Sequence, residues 1–310
     1  MEPEASGVGR GALLGGAILA LALAAAVFAP ALAPHDPRLP SGPPLLPPNP
    51  AHPLGTNDVG QDILSEWLWG ARSSLYVAVA VALLSTLLSW TVGLAAGLGR
   101  SLEGPLMALT DLLLALPSVP LYLLVVALAG ASQQNVVLTL GLLSWPAFAR
   151  IVRAQVIALR GQPYVEAARA LGASTLHVAR VHVLPSTLGL LPAKLVLTVR
   201  YALFAEATLA FLGLGDPAAK SWGTMLGWAF NDPLLFGRGV WLWWVAPPAL
   251  AIVLVVLATT WLATALESAQ EHRAGRAAGP AETADQPEPA RAEGVGGTLA
   301  RPRAGEAGWQ

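Results

Sequence analysis

The chain has 310 residues, of which 55% are hydrophobic and only 12% charged, with a net charge of -1. That composition, with a mean hydropathy of +0.57, lies outside the range of a soluble domain and reads as an integral membrane protein. The near-balanced charge excludes a global basic field, and with it nucleic acid as a partner. The absence of cysteine excludes disulfides, thiolate metal sites and a cysteine nucleophile.

A bilayer core of roughly 30 Å needs about 20 apolar residues per helix. After a short N-terminal piece, 1–10, residues 11–33 (GALLGGAILALALAAAVFAPALA) form the first such stretch. Arg10, the apolar run and Ala31-Leu32-Ala33 also fit a secretory signal with its cleavage site, but the run exceeds the ~7–15 residues of a signal core, so a span is predicted. A Pro-rich piece, 34–53 (PHDPRLPSGPPLLPPNPAHP), reads as extended polyproline-like chain. It leads through an amphipathic helix to residue 72. Spans follow at 73–99, 112–130 and 136 to about 158, with a short turn at 100–105. The fifth, 190–213, is interrupted by Lys194, Arg200 and Glu206. The sixth, 241–265, opens on Trp241, Trp243 and Trp244, which predict an aromatic belt at the interface. Prolines 117, 120, 146, 247 and 248 are compatible with these helices, because neighbours can satisfy the freed carbonyls. From 267 to 310 the chain is rich in Ala, Gly, Glu, Arg and Pro and is predicted to be a disordered tail. The fold class is therefore all-α and polytopic, with about six transmembrane helices, a membrane domain over 73–266 and no internal repeat.

Arg150, Arg153, Arg160, Arg169 and Arg180 lie between the fourth and fifth spans with only Glu166 opposing them. The positive-inside rule places that loop in the cytoplasm. Both termini then fall inside, and 34–72 and 214–240 outside.

The same loop contains "YVEAARALGASTLHVARVHVLPSTL", 164–188. Pro163 suits a first helical turn, and Val165, Ala168 and Leu171 line one face at helical spacing. Gly172 supplies the left-handed residue that ends a helix, and Ser174 can cap the next, which carries Leu176, Ala179 and Val183. Leu184-Pro185 stops it before the fifth span. From these residues alone the segment reads equally as a motion-transmitting helix-turn-helix or as an interfacial amphipathic hairpin whose arginines only fix topology.

Glu166-Ala167-Ala168, three residues, Gly172, nine residues, then His182-Val183-Leu184-Pro185 resembles the EAA signature of bacterial ABC-importer permeases. "HPLGTNDVGQDILSEWLWGARSSL" (52–75) and "EATLAFLGLGDPAAKSWGTML" (206–226) resemble segments of the C-type permease of dipeptide, oligopeptide and nickel importers, as do "DLLLALPSVPLYLL" and "SWPAFARIVRAQVI". The resemblance covers about 50–265. It implies a type I importer permease fold in the bacterial inner membrane, with a coupling loop, 160–188, that docks on the ATPase. It also implies four kinds of partner: a second homologous permease subunit, two cytoplasmic ATPase subunits, an extracytoplasmic binding protein and a peptide substrate. Asn57, Gln61, Glu66 and Ser186 depart from the family pattern, where Asp, Arg, a basic residue and Asn are usual.

Charge inside a span is costly. Asp111 reads as a solvated boundary residue and Lys194 as one that snorkels to the inner interface. Arg200 falls near mid-membrane and is expected to face the translocation path or the partner permease. Glu206 matches the family pattern near the outer end of the same helix, and each of the two is expected to pair elsewhere, since a six-residue spacing puts them on different faces.

The chain has two lysines, Lys194 and Lys220, and Ala219 stands before Lys220 where a phosphate loop requires Gly. No HExxH or other zinc spacing and no GxSxG turn occurs, and the five histidines are scattered. ATP is therefore expected to be bound by another subunit, and no enzyme activity, metal or cofactor is expected of this chain. A secondary transporter would want mid-membrane carboxylates and an inverted repeat, and a membrane-embedded enzyme clustered catalytic groups; neither pattern is found. Dipeptides, longer peptides, glutathione-like compounds and nickel chelates all remain open as cargo, with peptide the leading expectation.

Overall fold

A computed structural model describes residues 3–236 and 239–278, with side chains from position 10 to 269 apart from 100, 237 and 238. Most of the N-terminal piece and the tail beyond 278 therefore lie outside what is described in full. The chain divides into a main unit, Met1–Glu271, and a C-terminal one that begins at His272.

The main unit is helical, and no strand forms among the described residues. The long helices are α1 (Pro3–Leu32), α2 (Ile63–Leu98), α10 (Leu191–Leu209) and α13 (Ala246–Ala278). Between them lie α3 (Arg100–Ala115), α4 (Ser118–Ala129), α5 (Gln133–Leu143), α6 (Pro146–Arg160), α7 (Pro163–Ala170), α8 (Thr175–Val178), α9 (Leu184–Leu188), α11 (Trp222–Asn231) and α12 (Trp241–Trp244). Among the described residues, five stretches are long and apolar enough to cross a bilayer, and a sixth is a bent pair, Ser101–Ala115 with Ser118–Ala129, at 93°. The bend replaces the straight third span expected at 112–130 and turns the expected 100–105 loop into helix. Its cause is local. Leu116 precedes Pro117 and is held extended (φ -84°, ψ 137°), as the residue before a proline is. α4 has 12 residues, about 18 Å at 1.5 Å per residue, and cannot cross a bilayer alone.

A second break falls between α5 and α6, just before Pro146. The Trp145 carbonyl lies 3.1 Å from the Ser89 hydroxyl of α2, so the neighbouring helix supplies polar contact at the interruption. At the other end of the chain α13 continues to Ala278, past the boundary expected at 266. Trp244 is fully buried and only Trp241 is well exposed, so the expected aromatic belt reduces to one ring. Trp244 is instead part of the protein core.

α2 is the centre of the bundle and is packed by α1, α5, α6 and α10. Its contact with α6 depends on two glycines one turn apart. A Cβ on Gly93 would lie 2.6 Å from Val152 Cβ and 2.8 Å from the Ala149 carbonyl, and one on Gly97 2.6 Å from Val156 Cβ. In lipid there is no hydrophobic drive between helices, so association depends on this close backbone approach. Gly93→Leu and Gly97→Leu are each expected to destabilise the protein by about 1–3 kcal/mol through overpacking. Gly104→Ala, where no atom lies within 4 Å of the added carbon, should leave stability unchanged. Thermal unfolding in detergent, followed by fluorescence-detected size exclusion, makes the comparison.

Candidate functional site

The central segment 160–188 is a folded tip held against α2 and α6. α7 starts at Pro163, with Glu166 in its first turn where the helix dipole favours an acid. It ends in a Schellman motif: Gly172 N–H donates to the Arg169 carbonyl at 2.9 Å and Ala173 N–H to Ala168 at 3.0 Å. Gly172 takes φ +90° with open space around it, so the demand for glycine is one of backbone conformation and not of room. Ser174 then caps α8, its hydroxyl accepting the His177 N–H at 3.2 Å.

The buried face differs from the expected one. Val165, Val178 and Val183 are fully buried and join Trp90, Val152 and Val156 in one cluster. Leu171 and Leu176, expected on the packed faces, are 90% and 60% exposed. The Schellman turn redirects the chain between two short helices, so helical spacing within each does not fix which side meets α6. Nor does Leu184-Pro185 stop the helix. The chain runs through a π-helical turn, Ala179–Val183, into α9, with Pro185 in its first turn where its missing N–H is tolerated. The Ser186 hydroxyl donates to the His182 carbonyl at 2.7 Å and that of Thr187 to Leu184 at 2.9 Å.

The outward surface of the tip carries Glu166, Ala167, Leu171, Gly172, Leu176 and Pro185. The half-buried His182 ring packs edge-on to Tyr164, centroids 5.6 Å apart. Side-chain hydrogen bonds and a buried cluster tie the tip to the membrane helices. Trp90 Nε1 donates to Thr187 Oγ1 at 3.2 Å, Arg160 donates to the Gly97 carbonyl at 2.6 Å, and the valine cluster closes the interior. Arg150 and Arg153 are paired with Asp111 and Glu103 of α3, so Asp111 is an ion-pair partner as well as a boundary residue.

Within the fifth span, Arg200 and Glu206 bond to different helices. Arg200 donates to Thr260 Oγ1 of α13 at 3.2 Å and is half-buried. Glu206 is buried and accepts from Ser74 Oγ of α2 at 3.1 Å, while Ser74 Oγ itself accepts the Trp222 N–H at 3.2 Å. Lys194 does not snorkel. It is 6% exposed, forms no ion pair among the described residues, and holds its ammonium 4.6 Å from the centre of the Phe148 ring. It lines a cavity of about 410 Å³ with Tyr122, Ser144, Thr198 and Tyr201. This cavity lies where α4 and α6 begin, at the two helix breaks.

Three of the four departures from the family pattern meet in one buried network outside the helix bundle's centre. Glu66 Oε1 accepts from Lys220 Nζ at 2.5 Å and from Asn57 Nδ2 at 3.2 Å. Gln61 Oε1 accepts from Lys220 at 2.7 Å and Asn57 at 3.0 Å. The Lys220 ammonium also sits 4.3 Å from the centre of the Trp228 ring. An acid at 66 is thus matched by a cation brought from the 214–240 loop. Sequence reading named the three departures but not their partner, since 154 positions separate Glu66 from Lys220.

The comparisons agree with this architecture. Residues 86–272 match the family of binding-protein-dependent transport system inner membrane components. The di/tripeptide transport system permease protein DppC of Pseudomonas aeruginosa (strain UCBPP-PA14) is 36% identical over 278 residues, covering 87% of this chain and 90% of that protein. The dipeptide transport system permease protein DppC of Bacillus subtilis (strain 168) is 35% identical over 269 residues, 86% and 82% of the two chains. A putative peptide permease protein of Brucella suis biovar 1 (strain 1330) is 36% identical over 225 residues, 72% and 74%. The family match and these relatives make this multi-pass helical bundle a membrane transport subunit. The chain belongs to the family of binding-protein-dependent transport system inner membrane components.

The Glu66–Lys220 pair yields a stability test. Lys220→Met strands a buried carboxylate and is expected to cost about 3 kcal/mol. Adding Glu66→Gln should recover most of that loss. Denaturation midpoints of the two single variants and the double variant measure the coupling.

Proposed function

We propose that this chain is the C-type permease subunit of an ATP-driven peptide importer and that residues 160–188 couple it to the ATPase. The observation that carries the reading is the tip: a rigid turn with two exposed leucines and an exposed glutamate, braced from behind by α2 and α6. An apolar knob flanked by charge fits a groove on another protein, and contiguous exposed apolar surface marks such contacts. The peptide cargo is supported by the names of the relatives, at 35–36% identity over most of the chain.

In this reading the assembly holds a second homologous permease, two cytoplasmic ATPases and an extracytoplasmic binding protein. The tip and both termini face the cytoplasm, following the arginine bias. ATP binding draws the ATPases together and moves the tip. The Trp90–Thr187 and Arg160–Gly97 contacts pass that motion to α2, and the bundle tilts so that the central path opens alternately to either side. Hydrolysis takes place on the ATPase subunits, and this chain contributes the path and the lever. Lys194, in its cavity at the two helix breaks, joins Arg200 and Glu206 as a residue facing or supporting that path.

Gly172→Val and Glu166→Lys test the coupling role. Each is expected to keep membrane level and binding-protein docking while lowering ATPase copurification and substrate-stimulated hydrolysis by about tenfold, the cost of losing roughly 1.4 kcal/mol at the contact. Full association, full stimulation and full peptide uptake in both variants would remove the reading's main support.

A further inference from the structure

The outer segment gathers three of the scattered polar side chains at one point, and the function described above uses none of them. His35 follows α1, His52 lies in the Pro-rich stretch, and Asp62 caps the start of α2. His52 Nδ1 is 2.9 Å from Asp62 Oδ1, and His35 Nδ1 is 3.9 Å from the same oxygen. One ligand atom from each residue falls within 4.8 Å of the others.

Each member is held in place by contacts that do not involve those atoms. Asp62 uses its other oxygen to cap α2, accepting from Ser65 N–H at 2.8 Å and Ser65 Oγ at 2.7 Å. The same Ser65 Oγ accepts the His35 backbone N–H at 3.1 Å, which fixes where His35 enters. His52 is set by the Asn49 turn: its N–H donates to Asn49 Oδ1 at 3.1 Å, and its carbonyl accepts from Asn49 and Gly55. A side chain at position 42 would come within 2.9 Å of His52 Nε2, so Gly42 lets that ring seat with Nδ1 toward Asp62. The two imidazoles lie with centroids 4.8 Å apart.

One atom is left over. His35 Nδ1 is buried and has no hydrogen-bond partner. A buried ring nitrogen without a protein partner costs free energy, and beside a second histidine and a carboxylate it is available as a cation ligand. Both histidine nitrogens and the carboxylate oxygen are of the types that zinc takes, at roughly 2.0–2.2 Å. Tetrahedral ligands at that distance are about 3.3 Å apart. Reaching it asks His52 to move out from the carboxylate and His35 to move in by about half an ångström each, and the two histidine nitrogens, as far as 4.8 Å apart, to close by about 1.5 Å.

We propose that His35 Nδ1, His52 Nδ1 and Asp62 Oδ1 bind one divalent transition-metal ion of the zinc type. The His35 side chain is 32% exposed, so solvent reaches the edge of the cluster and can supply a fourth ligand. Binding displaces the proton between His52 Nδ1 and Asp62, leaving that ring protonated on Nε2. The ion ties the chain leaving α1 and the Pro-rich stretch to the first turn of α2, a three-point clamp outside the membrane spans.

The test uses the full chain purified with a histidine-free tag, stripped with chelator and titrated with Zn²⁺ against a competing dye. Co²⁺ spectra report the geometry. His177→Ala, in parent and variant alike, removes a second histidine pair whose rings stand 6.2 Å apart on the central tip. The expected result is one Zn²⁺ per chain, a tetrahedral Co²⁺ spectrum, and a raised unfolding midpoint on Zn²⁺ addition. His35→Phe keeps a ring against His52 and removes the ligand. It should weaken Zn²⁺ binding by at least the roughly 10–100-fold that loss of an outer-shell partner costs, and abolish the thermal shift while leaving the metal-free midpoint close to that of the parent. No saturable binding by the parent, or equal binding by His35→Phe, overturns the proposal.

Discussion

The structure depends on how closely α2 and α6 approach. Gly93 and Gly97 let Val152 and Val156 rest on the α2 backbone, and this contact sets the end of the bundle that carries the tip. Arg160, on the last turn of α6, reaches the Gly97 carbonyl. Val152 and Val156 in turn form the floor on which Val165, Val178 and Val183 of the central tip are packed. Separate the two helices by the width of a methyl group and the floor, the carbonyl contact and the seat of the tip are lost together. In lipid no hydrophobic gain would restore them.

α2 also carries that contact to the far side. At 36 residues it is about 54 Å long, nearly twice the hydrocarbon thickness of roughly 30 Å. Its C-terminal part holds the tip through Trp90, Ser74 in its N-terminal third braces Glu206, and its start carries Glu66 and the capping Asp62. A helix of unbroken hydrogen bonds moves as a rod, whereas the spans on either side of it are interrupted at Pro117 and Pro146. The molecule thus pairs one stiff element with two jointed ones. In the proposed mechanism a push on the tip would pass along α2, and the joints at Leu116-Pro117 and Ser144-Trp145 are where the neighbouring spans would change angle.

Much of this is legible in the sequence wherever local chemistry decides. Gly172 between two short apolar-periodic runs announces a helix stop, Ser174 a cap, and Pro163 a first turn, and each takes that role. The six apolar stretches are visible by length alone. What is not legible depends on contacts between distant segments. The side of the tip that is buried is chosen by Trp90 and α6, so Leu171 and Leu176 face out although their spacing suits a packed face. Lys194 looks like a snorkelling residue until the Phe148 ring is found over it. Pro117 signals an interruption, but the size of the bend, 93°, and the pairing of α3 with α6 through Glu103 and Asp111 are visible only in the structure. The histidines look scattered because the turns of the Pro-rich stretch, and not any spacing, bring His35 and His52 to Asp62.

The account rests on the tip being the surface that the ATPase grips, and Leu171 is its most exposed large side chain. The chain has no cysteine, so Leu171→Cys gives a single reporter thiol. Its modification by a membrane-impermeant reagent would be timed in vesicles of both orientations, with and without the ATPase subunits. The account predicts labelling only from the cytoplasmic side and strong protection in the assembled complex. Labelling from the opposite side, or at the same rate with the ATPase bound, would contradict it.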